Sequence, residues 1–261
     1  MSQTRSSATV TFSVWRALFL REAVSRMMGK RMAWVWLLVE PLFHISYLAI
    51  YHGVLRSRSI GGINTVLWIV VGVLAYYMFV YPARRSMHAI SANQALFVYR
   101  QIKPVDTVLV RVALEAFLMV IITIVVLCLV GLAGIDAVPD DPLLVLAAAG
   151  GLALTALGFG LLASVLHELT PELGKILELF FLPLYVVSGT IFAISGVPEP
   201  YRGWMMLNPL AHGIEIARQG FASYYHVVPE TDIVYLYSVA IVVLALGLAL
   251  QVRFKEKLVA K

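Results

Sequence analysis

The sequence predicts an all-α integral membrane protein, on three observations. Apolar residues make up 61% and charged residues 13% of 261, against roughly 45–50% and about 25% in soluble domains. Six stretches approach the ~20 apolar residues that cross ~30 Å of hydrocarbon. Sixteen of the twenty Lys and Arg fall in alternate connections and the two ends, as membrane topology requires. A chain this short cannot hide so much apolar surface from water in one core, so lipid is its main solvent. The single cysteine, Cys128, lies in an apolar run and excludes an intrachain disulfide and a Cys-based zinc site. The surplus of five positive charges comes with no module that reads nucleic acid, so no such partner is expected.

The elements follow in order along one domain, 1–261. Residues 12–30 are too charged to cross and too apolar to float free. Phe12, Trp15, Phe19, Ala23 and Met27 recur at helical spacing, as in a helix lying in the membrane interface with the stems of Arg16 and Arg26 snorkelling to headgroups. The six spans are read at 34–55, 66–82, 111–134, 143–166, 176–195 and 233–251. Between them lie the turn signals Gly61-Gly62-Ile63-Asn64, Pro139-Asp140-Asp141-Pro142 and Thr170-Pro171-Glu172, with Thr170 placed to cap a helix that begins on proline. Residues 1–33, 83–111, 167–175 and the tail carry the sixteen basic residues, so both termini are expected in the cytoplasm. Residues 1–33 contain no h-region of a cleavable signal peptide, leaving insertion to the first span.

Two connections are too long and too apolar to be plain loops. Residues 83–110 contain Ser91-Ala92-Asn93-Gln94-Ala95-Leu96-Phe97-Val98-Tyr99-Arg100, which fits a short helix offering Leu96, Phe97 and Tyr99 to a cytoplasmic partner. Residues 196–231 hold apolar runs broken by Pro209 and Gly213, the pattern of re-entrant or interfacial half-helices. Irregular backbone at that depth needs protein or a polar cavity beside it.

Polar groups inside the spans point the same way. At 100° per residue, Trp36, Glu40, Phe43, His44, Tyr47 and Tyr51 share one face of the first span, while Glu178, Phe181, Tyr185, Ser188 and Phe192 share one face of the fifth. Aromatic faces with polar tips suit sugars, and they also suit the aromatic belt of a membrane interface. Arg111 with Glu115 and Lys175 with Glu178 read as pairs one turn apart. Arg84, Arg85, Arg100 and Lys103 are candidates for attracting an anionic substrate headgroup, Arg84 and Arg85 serving equally as topology anchors. Ala147, Gly151 and Thr155 form a small-residue ridge for close helix packing. His167-Glu168 lacks the second histidine of a metalloprotease helix, and the six histidines show no ligand spacing, so no metal is expected. There is no phosphate-binding P-loop, so any ATPase is a separate polypeptide.

The runs WRALFLREAVSR at 15–26 and GKRMAWVWLLVEP at 29–41 resemble the start of polysaccharide-export permeases of the type-2 ABC transporter family. LPLYVVSGTIF at 182–192, then Pro198, Glu199, Arg202 and NPLAHGIEIAR at 208–218, resemble its far end, most nearly that of capsular-polysaccharide exporters of Gram-negative bacteria. The resemblance implies an inner-membrane homodimer whose first and fifth spans line a channel. It also implies a coupling helix, matched by Asn93 to Tyr99, docked on two nucleotide-binding subunits that carry ATP and Mg. A periplasmic re-entrant motif would be matched by Asn208, Pro209, His212, Glu215 and Arg218. A periplasmic co-polymerase or adaptor leading to an outer-membrane channel would complete the assembly, with lipid-linked acidic polysaccharide as cargo. The turn at 167–171 lacks the Arg-Asp pair of other branches, which favours capsule export and leaves a second ATPase contact open. The competing readings are export of another lipid-linked glycan such as O-antigen, export of a small hydrophobic compound, and a membrane enzyme using Glu40 or Glu215 as acid or base.

Overall fold

The computed structural model describes residues 7–28, 33–55 and 59–259. In chain order it comprises α1 (Ser7–Met28), α2 (Ala33–Leu55), a hairpin of β1 (Ser59–Ile60) and β2 (Ile63–Asn64), α3 (Thr65–Ser86), a 3-10 segment (Ser91–Val98), α4 (Pro104–Leu132), α5 (Pro142–Leu169) and α6 (Pro171–Val187). After a short 3-10 turn (Ile194–Gly196) come α7 (Tyr201–Met205), α8 (Pro209–Phe221), α9 (Ile233–Arg253) and α10 (Lys255–Val259). The protein is all-α, with one two-residue hairpin among the described residues. The last two residues expected in the interfacial helix, 29–30, lie outside the described residues.

Helices begin where the side chains can satisfy their free N–H groups. Asn64 accepts from the amide of Val66 at 2.9 Å, Asp141 from Leu144 at 3.0 Å, Asn208 from Leu210 at 3.1 Å and Asp232 from Val234 at 2.7 Å. Pro142, Pro171 and Pro209 stand at first-turn positions, where a missing N–H costs nothing. Thr170 precedes α6 as expected, but its hydroxyl makes no capping bond.

Among the described residues four helices, α3, α4, α5 and α9, are long and apolar enough to cross a membrane, and α2 carries a shorter apolar stretch, Val35–Tyr51. α4 starts seven residues before the expected 111, because Pro104 opens it and the Asp106 carboxylate caps it by accepting the Lys103 amide at 2.9 Å. The largest departure is α6. The expected helix over 176–195 begins instead at Pro171 and stops at Val187, where the chain turns through Gly189 at φ +70°. Its 17 residues extend about 26 Å at ~1.5 Å per residue.

α3 is the central column: α2, α4, α5 and α8 surround it, and nearly every side chain from Leu67 to Phe79 is buried. α5 and α9 are the closest pair. A Cβ on Gly158 would stand 2.6 Å from the Leu244 amide nitrogen, and one on Gly247 would stand 2.8 Å from the Gly158 carbonyl oxygen, so these backbones touch because neither residue has a side chain. The ridge read from sequence belongs to this seam: Gly151 faces Leu236, and the Ala147 carbonyl accepts the Tyr237 hydroxyl at 2.9 Å.

Candidate functional site

α2 turns its aromatic face outward. Trp36 is 65% exposed, Phe43 74% and Tyr47 59%, with Tyr51 stacked on Tyr47 at 6.3 Å and Glu40 exposed beside them. Trp36, Glu40, Phe43 and Tyr47 border an open groove of about 820 Å³ whose back wall includes His44 and Tyr77. His44 ties the wall together: one ring nitrogen meets the Tyr77 hydroxyl, and the other lies 3.3 Å from the Tyr185 hydroxyl of α6. Tyr185 packs edge-on against Tyr76 at 5.0 Å, and the Tyr76 hydroxyl donates to the Phe181 carbonyl at 2.6 Å. Tyr81 packs edge-on against Tyr77 at 4.9 Å. Sequence projection missed Tyr76, Tyr77 and Tyr81; their spacing along the second span was the available signal.

Of the expected α6 face, Tyr185 alone joins this wall. Phe181 is a core residue, packed on Phe159 at 5.6 Å and Phe79 at 6.3 Å. Ser188 and Phe192 fall beyond the helix end, and the buried Ser188 hydroxyl donates to the Leu184 carbonyl at 2.6 Å. Glu178 meets His88 at 2.8 Å rather than Lys175. Leu179, Phe180 and Leu182 take the outward positions instead. A helical projection groups side chains by face but does not decide which face the neighbouring helices bury.

At the end where Arg84 and Arg85 close α3, α1 is bolted to α4. The Trp15 indole N–H donates to the Asp106 carboxylate at 2.8 Å, Arg111 meets both Glu22 oxygens at 2.7 and 2.8 Å, and Arg26 lies 3.2 Å from Glu115. Arg111 and Glu115 therefore do not pair with each other; each has its partner on α1. Burial pushes the Glu22 carboxyl up, but Arg111, Asn93 and Arg21 outweigh it and hold the group below the usual carboxylate range. Arg84, Arg85, Arg100 and Lys103 are all exposed, and Arg85 feels the charges of Arg26, Glu115, Glu40 and Arg111.

The 91–98 segment divides into an inner and an outer side. Asn93 is buried, donating to Glu22 at 3.1 Å and to the Ala89 carbonyl at 2.7 Å, and Arg21 reaches its oxygen. Phe97 is buried beside Val108, Val112 and Leu161, Leu96 is half-buried, and Val98 and Tyr99 project outward. The expectation that Phe97 faces a partner is corrected: its side chain is buried in an apolar cluster with residues of α4 and α5. The same segment reaches the α5–α6 turn, where the His88 and His167 rings meet at 4.5 Å and Gln94 lies 3.5 Å from Glu168.

At the opposite end α8 is held by a buried ion pair. Arg218 and Glu215 are fully buried and 2.9 Å apart. Arg218 also donates to the carbonyls of Trp68 at 3.3 Å and Thr190 at 3.1 Å, and the Tyr225 hydroxyl donates to Glu215 at 3.0 Å. His212 accepts the Asp232 amide at 2.9 Å on one nitrogen and meets the Met206 carbonyl at 2.6 Å with the other, so the donor is Nε2–H. Asn208 caps α8 and donates to Ser188 at 2.8 Å, and Pro209 begins the helix. Asn208, His212 and Arg218 bond backbone groups, and Glu215 holds the Arg218 and Tyr225 side chains; Trp68, Thr190 and Tyr225 were not expected.

The family profile for the ABC-2 type transporter matches residues 13–222, from α1 through α8. The chain belongs to the ABC-2 type transporter family. This ABC-2 chain is 31% identical to the polysialic acid transport protein KpsM of Escherichia coli over 246 residues, 94% of this chain and 95% of the relative. It is 27% identical to the capsule polysaccharide export inner-membrane protein CtrC of Neisseria meningitidis serogroup A, over 92% of this chain and 90% of that one. With the capsule polysaccharide export inner-membrane protein BexB of Haemophilus influenzae the identity is 28%, over 83% and 82%. Both the α2 groove and the α8 ion pair lie inside the matched ABC-2 region.

Proposed function

We propose that this ABC-2 chain is the membrane-spanning permease subunit of an ATP-driven exporter that moves lipid-linked acidic capsular polysaccharide across the inner membrane. The observation that carries the reading is the α2 groove, where exposed Trp, Phe and Tyr rings stand beside Glu40 and a His44-centred hydrogen-bonded wall. Sugar rings stack their C–H faces on such side chains while hydroxyls exchange hydrogen bonds with the polar tips. The relatives named for polysialic acid transport and capsule export support the choice of cargo.

Two copies face each other through α2 and α6, enclosing the groove, and both termini lie in the cytoplasm. α2 and the 17-residue α6 complete the crossing helices, which brings the number of spans to six. ATP and Mg bind two separate subunits, which dock on Val98 and Tyr99 and bias the pair between closed and open arrangements. A periplasmic co-polymerase or adaptor receives the polymer. Arg84, Arg85, Arg100 and Lys103 attract the acidic end of the cargo on the cytoplasmic side.

The enzyme alternative loses one of its two candidate groups, since Glu215 is sealed against Arg218 and Tyr225. The test is surface capsule in cells carrying Tyr47→Ala with Tyr77→Ala at normal permease level. Loss of surface polysaccharide with accumulation inside is the expected outcome; unchanged export removes the groove from the pathway.

A further inference from the structure

We propose that a second groove, between α1, α4 and α5, binds one acyl chain of an anionic glycerophospholipid, with Arg16 holding its phosphate. α1 touches α4 along one side only, through the Trp15–Asp106, Glu22–Arg111 and Arg26–Glu115 bonds and the edge-on contact of Phe19 with Phe117 at 6.5 Å. Between that seam and α5 an open trough of about 680 Å³ remains. Small residues make the room: Ala113 and Ala116 on α4, Gly150 and Ala153 on α5. It shares no residue with the α2 groove.

The chemistry of the walls selects the occupant. Arg16 is the one charged residue among the described residues of an otherwise apolar lining. Water finds no polar partners in such a trough, and an empty one forfeits dispersion contacts along its whole length, so in a bilayer it takes a hydrocarbon chain. Arg16 supplies the headgroup preference. Its guanidinium is exposed and has no acidic partner among the described residues, because the nearby Asp106 carboxylate already receives the Trp15 indole and the Lys103 amide. A guanidinium at the rim of an acyl groove, next to an interfacial indole, is matched by a lipid phosphate with net negative charge. The lipid then acts as a wedge that completes the seat of α1.

The experiment uses the full chain, purified in mild detergent from a strain that makes no lipid-linked glycan. Co-purified phospholipid is quantified by extraction and mass spectrometry, and thermal unfolding is followed with added phosphatidylglycerol or phosphatidylcholine. The expected result is about one anionic phospholipid per protomer after extensive washing, and a higher unfolding temperature with phosphatidylglycerol than with phosphatidylcholine. Ala153→Phe is expected to lose the lipid, and Arg16→Gln to bind both lipids equally. If Ala153→Phe does not fold, Arg16→Gln decides alone. Absence of retained lipid, equal stabilisation of the unaltered protein by both headgroups, or retention seen only in cells that make lipid-linked glycan would each overturn the assignment, the last by identifying the occupant as the cargo's own anchor. None of these readouts depends on transport.

Discussion

The guanidinium carbon of Arg218 lies 3.4 Å from the centroid of the Trp68 ring, while its Nε donates to the carbonyl of the same tryptophan. One arginine thus holds α3 by ring face and backbone together, and pairs with Glu215 one turn back on its own helix. A Cβ on Gly72 would collide with this guanidinium, so α3 has to carry a glycine there. Removing one partner of a buried pair strands the other charge and costs about 3–5 kcal/mol. Arg218→Ala is therefore expected to lower the unfolding temperature in detergent sharply, and Arg218→Lys to restore little, because an ammonium lacks the flat face and the forked donors. Replacing both members, Arg218→Met with Glu215→Leu, is expected to lose less than Arg218→Ala; equal loss would mean that the charges are not what the site holds in balance.

Glu22 makes the seat of α1 acid-sensitive. Its carboxyl lies below the ordinary value in the folded state, so the ionised form contributes stability that is fully present above the unfolded pKa of ~4.3 and is lost as pH falls through the lowered native value. Glu22→Gln should mimic that loss at neutral pH. A spin label at Val24, in a protein whose Cys128 is replaced by Ser, is expected to become mobile in Glu22→Gln at pH 7 and in the unaltered side chain only at acid pH. Equal mobility in both at pH 7 would show that Trp15 and Arg26 hold α1 without it.

Local chemistry was readable where it is settled within a few residues. The spans read from 143 and 233 begin at Pro142 and Ile233, and the grouping of Trp36, Phe43 and Tyr47 on one face of α2 needed nothing beyond spacing and side-chain type. Tertiary choices were not. Arg111 and Glu115 have the spacing of a pair, yet each finds a partner on α1 89 residues upstream in the chain. Tyr76 and Tyr77 disappeared into a run so apolar that it read as an ordinary span, and Phe181 and Tyr185, one turn apart, ended in the core and at the groove wall respectively. The early stop of α6 depends on Gly189 reaching positive φ, which a glycine permits but does not announce.

The division of the 91–98 segment gives two variants that should behave oppositely. Phe97→Ala opens a cavity among Val108, Val112 and Leu161 and is expected to cost about 3 kcal/mol, read as lower yield and unfolding temperature. Val98→Asp with Tyr99→Ala alters exposed side chains and should leave both unchanged while abolishing co-purification of the ATP-binding subunit. Retention of that subunit by the double variant would move its docking surface elsewhere, with the α5–α6 turn around Glu168 next to be tested.

His44 separates packing from transport at the groove. Its two ring nitrogens occupy the hydroxyls of Tyr77 and Tyr185, so His44→Phe leaves both phenols short of a partner in an apolar wall, at about 1–3 kcal/mol each. Removing the hydroxyls as well, in His44→Phe with Tyr77→Phe and Tyr185→Phe, takes away both sides of each bond and is expected to recover most of the lost stability. Export has no reason to recover with it, because a wall of three phenylalanines offers stacking but no hydrogen bonds to a passing sugar. A folded triple variant with little surface capsule is the expected result. Normal capsule from that variant would reduce the cluster to a packing device and leave the exposed rings of α2 as the whole of the sugar-facing surface.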